Sequence, residues 1–122
     1  MSERISDAEH MVMEVLWQEA PMTATEVAER LADRQGWTLT TVKTLLSRLL
    51  AKGALATETE GRKFIYRPLM ARTDYVARES RRLVDRLFGG KLSPLVAHLA
   101  GQEALSAEDI AEIEALLKEL KS

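Results

Sequence analysis

The sequence predicts a mainly α fold (α+β) in which three helices, a two-stranded hairpin and three further helices follow one another. Apolar residues recur at the i, i+3, i+4 spacing of a helix over most of the chain. One stretch, residues 55–69, instead places β-forming residues on both sides of a glycine turn. With 3 prolines and 6 glycines among 122 residues, the chain has too few turn formers for an all-β fold.

The composition excludes several classes of protein. The chain contains no cysteine, which excludes a disulfide framework, a cysteine-ligated zinc or copper site and thiol catalysis. No apolar run approaches the roughly 18 residues of a membrane-spanning helix, so no membrane insertion is predicted. The amino terminus lacks the basic start and apolar block of a signal peptide, and the expected compartment is therefore the cytoplasm.

The first two helices are predicted from their amino-terminal caps. Ser6–Glu9 and Thr23–Glu26 are capping boxes, in which the first side chain accepts from a free N–H and the glutamate accepts from the cap residue's own N–H. Apolar residues at helical spacing follow each box. Pro21 ends the first helix, and the polar residues 33–36 end the second.

The third helix has two contrasting faces. It starts at the predicted N-cap Thr38 and stops at Gly53. Its apolar stripe consists of Val42, Leu45, Leu46, Leu49 and Leu50. The opposite face carries hydroxyl groups and cations but no acidic residue, which is unusual because serine and threonine are poor residues for an exposed helix. This face consists of Thr40, Thr41, Lys43, Thr44, Ser47 and Arg48.

Residues after Gly53 predict a β-hairpin and then three more helices. Leu55–Glu60 and Phe64–Leu69 are the two strands, and Arg62 and Lys63 make the tip basic. Thr73, Ser93 and Ser106 are the predicted caps of the last three helices, with the middle helix ending near Leu99.

This order of elements is that of a winged helix-turn-helix, in which the third helix enters the major groove of DNA and the hairpin, the wing, contacts the backbone. The distribution of charge along the chain also favours DNA binding by this region. Residues 34–71 hold seven basic and two acidic residues, whereas both ends of the chain are acidic. The wing cations suit phosphate contacts that fix register. The predicted DNA-binding residues are Thr40, Thr41, Lys43, Thr44, Ser47, Arg48, Arg62 and Lys63.

Several segments resemble the BlaI/MecI/CopY family of bacterial repressors, the penicillinase repressor family. The third-helix string is the most specific of them, and together the similar segments run from about residue 4 to residue 120. The segments are Ile5–Glu9, Val15–Trp17, Thr41–Leu49, Lys52–Leu55, Gly61–Tyr66 and Ser80–Gly90.

The resemblance implies a homodimeric repressor of transcription that binds a pseudo-palindromic operator in double-stranded DNA. It implies that residues 1–71 bind DNA and that residues 72–122 dimerise. Three short amphipathic helices with few aromatic residues make a thin core on their own, which agrees with pairing. The interface candidates are Leu83, Leu87, Leu95, Leu99, Ile113, Leu116 and Leu120.

The resemblance leaves the inducing signal open. Copper-responsive relatives carry paired cysteines, which this chain lacks. The β-lactam-responsive relatives are cut in the dimerisation region when a membrane sensor-protease system is activated. The similar stretch here contains His98 and Leu99 but not the Asn-Phe pair of that cut. Antibiotic resistance, copper handling and another pathway all stay open, as do the operator sequence and the regulated genes.

Two other interpretations compete with the operator-binding repressor. One is a winged-helix module that binds a protein, although such a surface is typically aromatic or aliphatic. The other is a regulator that senses a metal or small molecule through non-cysteine ligands. His10 and His98 are the two histidines, and their separation in sequence argues against a shared metal. No catalytic pattern is found, so no enzyme, metal or cofactor is predicted.

Overall fold

A computed structural model of the protein describes residues 4–121. Within these residues, the six helices and the two hairpin strands follow the predicted order, and a third, short strand is added between the first two helices. The helices are α1 (Asp7–Gln18), α2 (Ala24–Gln35), α3 (Leu39–Ala51), α4 (Arg72–Phe88), α5 (Ser93–Gly101) and α6 (Ala107–Lys121). The strands are β1 (Met22–Thr23), β2 (Leu55–Glu60) and β3 (Lys63–Pro68).

The chain divides into two compact units, one ending at Val76 and the other starting at Ala77. The first holds α1 to α3, the sheet and the first turn of α4. The second holds the remainder of α4 with α5 and α6. The predicted boundary after residue 71 lies five residues before this division.

The predicted caps of the first three helices are confirmed. In α1, the Glu9 backbone N–H donates to the Ser6 hydroxyl (3.2 Å) and the Ser6 N–H donates to the Glu9 carboxylate (2.7 Å). Thr23 and Glu26 make the same reciprocal pair in α2. The α3 cap is simpler, since the Thr41 N–H donates to the Thr38 hydroxyl at 3.3 Å. Each cap satisfies donors that a helix start otherwise leaves unpaired.

The third strand, β1, is absent from the prediction. Its residues pair antiparallel with the central strand β3, Met22 opposite Tyr66 and Thr23 opposite Ile65. Two residues are too few to show the alternation that identifies a strand. Because β1 directly precedes α2, the pairing joins the base of the wing to the start of that helix.

The core lies within the first unit and is formed largely by the predicted stripes. The apolar face of α3 is its centre, with Val42, Leu46 and Leu49 fully buried. Gly53 ends this segment with φ of 77°, a left-handed conformation that suits glycine. The other buried apolar residues are Ile5, Val12, Met13, Val15, Leu16, Met22, Ala24, Val27, Leu31, Leu45, Ala54 and Leu55.

An ion pair joins a buried carboxylate of α1 to the half-buried side chain of Lys52. Glu9 is only 1% exposed, and its carboxylate accepts a hydrogen bond from Lys52 Nζ at 2.5 Å. The same Nζ donates to the Arg4 carbonyl at 2.8 Å. Glu9 therefore joins the start of α1 to Lys52, the residue that caps the carboxyl end of α3.

Of the caps predicted for the last three helices, one is confirmed and two are wrong. Ser106 caps the last helix as predicted, with the Asp109 N–H donating to its hydroxyl at 3.0 Å. Thr73 is not a cap, because α4 already begins at Arg72. Ser93 is not a cap either: Leu92 has helical angles (φ −75°, ψ −37°) and takes the cap position, and α5 extends to Gly101.

Candidate nucleic-acid interface

The polar face of α3 points outward because the opposite face is fixed in the core. All six of its predicted DNA-binding residues are exposed. A helix buries one stripe and exposes the other at about 100° per residue, so burial of the leucine stripe determines where these side chains point. The structure thus confirms that they form one accessible surface. Their contact with DNA stays a prediction.

The hydroxyl groups of this surface are partly held by the helix itself. Thr44 Oγ1 donates to the Thr40 carbonyl at 3.1 Å, and the Thr41 hydroxyl lies 3.2 Å from the Thr38 hydroxyl. Such local bonds fix the rotamers of short side chains. The Thr44 oxygen retains lone pairs that can accept from a base amine. These residues therefore present small, oriented groups.

The cations of the surface are available for an external partner. Within residues 4–121, neither Lys43 nor Arg48 has an ion-pair partner. An unpaired arginine at an exposed helix face can donate two hydrogen bonds to the edge of guanine, and a lysine can neutralise a phosphate.

A groove brings α3 and the wing together. Its volume is about 740 Å³, and its lining includes Lys43 of α3 with Arg62 and Lys63 of the wing. Phe64, which is 59% exposed, lies beside them on the wing. The β1–β3 pairing explains this placement, because it holds the wing against the start of α2. Lys43 and the two wing cations, which were predicted from separate segments, therefore border one groove.

Three carboxylates line the same groove and were not predicted there. They are Glu26 and Glu29 of α2 and Glu60 of β2. Hydrogen bonding to the backbone and side chain of Thr23 holds the pKa of Glu26 below its ordinary value, and the charge of Lys63 adds to the effect. The face of α3 lacks acids, yet neighbouring elements supply them. The groove is therefore lined by three acidic side chains as well as by the three cations of α3 and the wing.

The predicted interface residues of the second unit are incompletely covered. The described parts of α4, α5 and α6 contain no buried side chain. Leu87 is 53% exposed, Leu116 59% and Leu120 82%. Leu83 is also exposed, whereas Leu95, Leu99 and Ile113 are half-buried. As a single copy, the second unit therefore exposes an unusually large share of its leucine side chains to water.

The remaining predicted residues lie on separate elements. His98 is exposed on α5 beside the half-buried Leu99, the predicted cleavage region. His10 is half-buried on α1. Across residues 4–121, no cluster of three metal-ligating side chains is present. No helix in the described part of the chain combines the length and apolar character that crossing a bilayer requires.

Comparison with known proteins agrees with these observations. The penicillinase repressor family matches residues 5–119. The penicillinase repressor of Bacillus licheniformis is 36% identical over 119 residues, which cover 98% of this chain and 93% of that protein. The methicillin resistance regulatory protein MecI of Staphylococcus aureus (strain N315) is 27% identical, covering 93% and 92% of the two chains.

A solved structure shows the same relationship at the level of the fold. It is the solution structure of the Bacillus licheniformis BlaI monomeric form in complex with the blaP half-operator. That protein is 40% identical with a TM-score of 0.53, covering 62% of this chain and 92% of that one.

Proposed function

This chain belongs to the penicillinase repressor family of DNA-binding transcriptional repressors, and we propose that it binds a pseudo-palindromic operator as a homodimer. The observation that carries the proposal is the exposed, acid-free surface of α3, which borders one groove with the cations of the wing. In the proposed complex, α3 enters the major groove and Arg62 and Lys63 contact phosphates. The BlaI structure with a half-operator supports this use of the first unit.

The second unit supports the dimer in the proposal. Exposed leucines such as Leu87 and Leu116 make an apolar surface that a second copy covers. Obligate homodimers bury interfaces that resemble a core divided between two chains. Two-fold pairing also presents two copies of α3 to two operator half-sites.

The dependence of affinity on salt tests the proposal. A duplex selected from a random library by the full-length protein is the appropriate probe. We expect the selected sequences to be palindromic and the logarithm of affinity to fall linearly with the logarithm of salt concentration. An affinity that does not change with salt would contradict phosphate neutralisation by this surface.

Replacement of a wing cation is expected to weaken binding without changing sequence preference. Arg62→Ala removes one phosphate contact per protomer and therefore two per dimer, which lowers affinity for all duplexes alike and flattens the salt slope by about two units. Titration of cognate and non-cognate duplexes at several salt concentrations measures both effects. Arg34→Ala, an exposed arginine of α2 outside the groove, is the matched control. A change at one base pair only would refute the backbone role.

Replacement of Lys43 on α3 is expected to weaken operator binding more than replacement of Arg62 on the wing. Lys43 lines the groove and projects from the proposed recognition surface. Lys43→Ala should weaken operator binding by about tenfold, equivalent to about 1.4 kcal/mol, and relax preference at the bases nearest to it. Competition with single-base variants of the duplex measures this change. Wild-type affinity and preference for Lys43→Ala would remove α3 from the proposed interface.

Release from DNA by cleavage in the dimerisation unit is the second part of the proposal. Ala97 and His98 are exposed on α5, where a sensor-protease system reaches them more readily than a core residue. A cut between His98 and Leu99 divides the helices that hold the dimer together. Mass spectrometry of the repressor from induced cells locates the cut, and an intact chain during induction would exclude this mechanism.

A further inference from the structure

The tip of the wing carries an exposed aromatic side chain. Phe64 is 59% exposed, whereas the other five aromatic residues of the chain are all half-buried. Four of those five pack against the core: Trp17, Trp37, Tyr66 and Tyr75. A single exposed apolar residue is common on a soluble protein, so exposure alone does not identify a contact. What distinguishes Phe64 is its position on the hairpin and the charges beside it.

The pairing of the hairpin fixes the side on which this ring lies. Side chains alternate along a strand, so Phe64 and Tyr66 share one face of the sheet. Tyr66 packs against the core, and Phe64 lies nearer to the tip, beyond the core residues and opposite Thr59. Across the hairpin, Thr57 Oγ1 donates to the Ile65 carbonyl at 2.9 Å. A paired strand therefore presents the ring on the core-side face of the wing.

Cations and the surface of α3 lie beside the ring. Arg62 and Lys63 directly precede Phe64 and are exposed. The groove between α3 and the wing is lined by Phe64 together with Lys43, so the ring and α3 border the same space. An aromatic side chain flanked by cations suits a partner whose anionic groups lie on either side of an uncharged surface. Double-stranded DNA has this arrangement in its minor groove, where sugars and base edges lie between two phosphate backbones.

The carboxylates of the same groove favour one part of the duplex over another. Glu26, Glu29 and Glu60 line the groove, and Glu60 is opposite Lys63 in the hairpin. Their negative charge opposes the entry of a phosphate group. An uncharged sugar or base edge against Phe64 meets less repulsion. The ring is therefore better suited to the interior of the minor groove than to a backbone contact.

We propose that Phe64 is a specificity-determining residue of the wing, whose ring enters the minor groove next to the α3 site and wedges against one base-pair step. This inference rests on the proposed binding of α3 and the wing to DNA. A wedge partly unstacks the step, and the cost of unstacking depends on the sequence that is deformed. Pyrimidine–purine steps such as TA deform most easily. Phe64 therefore selects a flexible step where the wing reaches the duplex, without a hydrogen bond to any base.

Affinity for duplexes with one half-site tests this role independently of pairing between protomers. The full-length protein is titrated with the selected half-site, in which each step that flanks the α3 site is in turn made TA or the stiffer AA. The variants are Phe64→Ala and Phe64→Leu, since leucine also serves as an apolar wedge. Leu69→Ala is the matched control, because Leu69 is 55% exposed but does not line the groove.

A preference for TA over AA at one step, by about tenfold, is the expected result for the wild-type protein. Phe64→Ala should bind the TA duplex about tenfold more weakly and the AA duplex within about twofold of wild type, so the preference is lost. Phe64→Leu and Leu69→Ala should keep it. Because no charge is removed, the salt slope of Phe64→Ala should equal that of the wild type, unlike the slope of Arg62→Ala.

A fluorescent purine analogue placed in the preferred step reports the unstacking directly. Its emission rises when the base leaves the stack, so binding of the wild-type protein should raise it more than binding of Phe64→Ala. Phe64→Ala should also unfold in denaturant as the wild type does, because the ring lies outside the core.

Other outcomes overturn the inference in distinguishable ways. An unchanged step preference in Phe64→Ala, or an equal loss of affinity for every duplex, refutes the wedge and leaves DNA binding by α3 and the wing intact. A wild-type protein that shows no preference at any flanking step, while its affinity still falls with salt, refutes the wedge in the same way. Wild-type binding that does not depend on salt overturns the proposed function, and the role of Phe64 with it.

Discussion

A chain that ends at Val76 is expected to bind the palindromic operator at least about 100-fold more weakly than the full-length protein. The shortened chain retains the sheet and every residue that is buried within residues 4–121, because all of them lie within the first unit. It lacks the helices that we propose to join two copies. Each copy must then find its half-site alone, and the second binding event loses its effective concentration.

Titration of one labelled duplex with both proteins measures this effect. The single half-site duplex is the control, for which equal affinity is expected because the α3 surface and the wing are unchanged. Sedimentation should show a monomer for the shortened chain and a dimer for the full-length protein. Full operator affinity in the shortened, monomeric chain would show that residues 77–122 do not pair the recognition surfaces.

Removal of the buried carboxylate is expected to have the largest effect on stability. Glu9→Ala leaves the half-buried Lys52 ammonium without its counter-charge, which costs about 1–3 kcal/mol of unfolding free energy. It also deletes half of the α1 capping box. Denaturant unfolding monitored by circular dichroism measures the loss. Glu29→Ala, an exposed glutamate of α2, is the matched control and should change stability by less than about 0.5 kcal/mol.

A double replacement shows how much of the lost stability is due to the unpaired Lys52 charge and how much has other causes. Glu9→Gln with Lys52→Met removes both charges and is expected to restore most of the stability that Glu9→Gln alone loses. If the double variant is as unstable as the single variants combined, the two side chains do not interact in the way described.

The same pair gives stability a defined dependence on pH. Burial raises the pKa of Glu9, but hydrogen bonds from Lys52 and Ser6 outweigh it and leave the pKa below its ordinary value of 4.5. A carboxyl group with a lowered folded-state pKa stabilises the protein above its unfolded-state pKa. The contribution is lost as the pH falls from 4.5 through the lower, folded-state value. Glu9→Gln should therefore show a weaker decline of stability on acidification than wild type.

The parts of the fold that depend on near neighbours in sequence were predictable. The capping boxes at Ser6 and Thr23 need residues three positions apart, and the α3 stripe needs only helical spacing. The hairpin follows from β-forming residues around Gly61. The outward surface of α3 followed too, since burial of one helix face exposes the other.

Features created by distant contacts were not predictable. Glu9 and Lys52 are 43 residues apart, Trp17 and Met70 are 53 apart, and Glu14 and Arg72 are 58 apart. Nothing local marks Glu9 as buried, because a capping glutamate ordinarily faces water. The acids of the groove were missed for the same reason. The cap at Ser93 was wrong because the helical turn at Leu92 outweighed a local preference for serine.

The absence of any buried side chain in the described helices of the second unit has a further consequence. In the proposed homodimer, such a segment gains its order from the second copy, so folding and association become a single equilibrium governed by mass action. Dilution would then melt residues 77–122 as it separates the protomers. The concentration of the protein in the cell would thus determine both its occupancy of the operator and its lifetime before proteolysis.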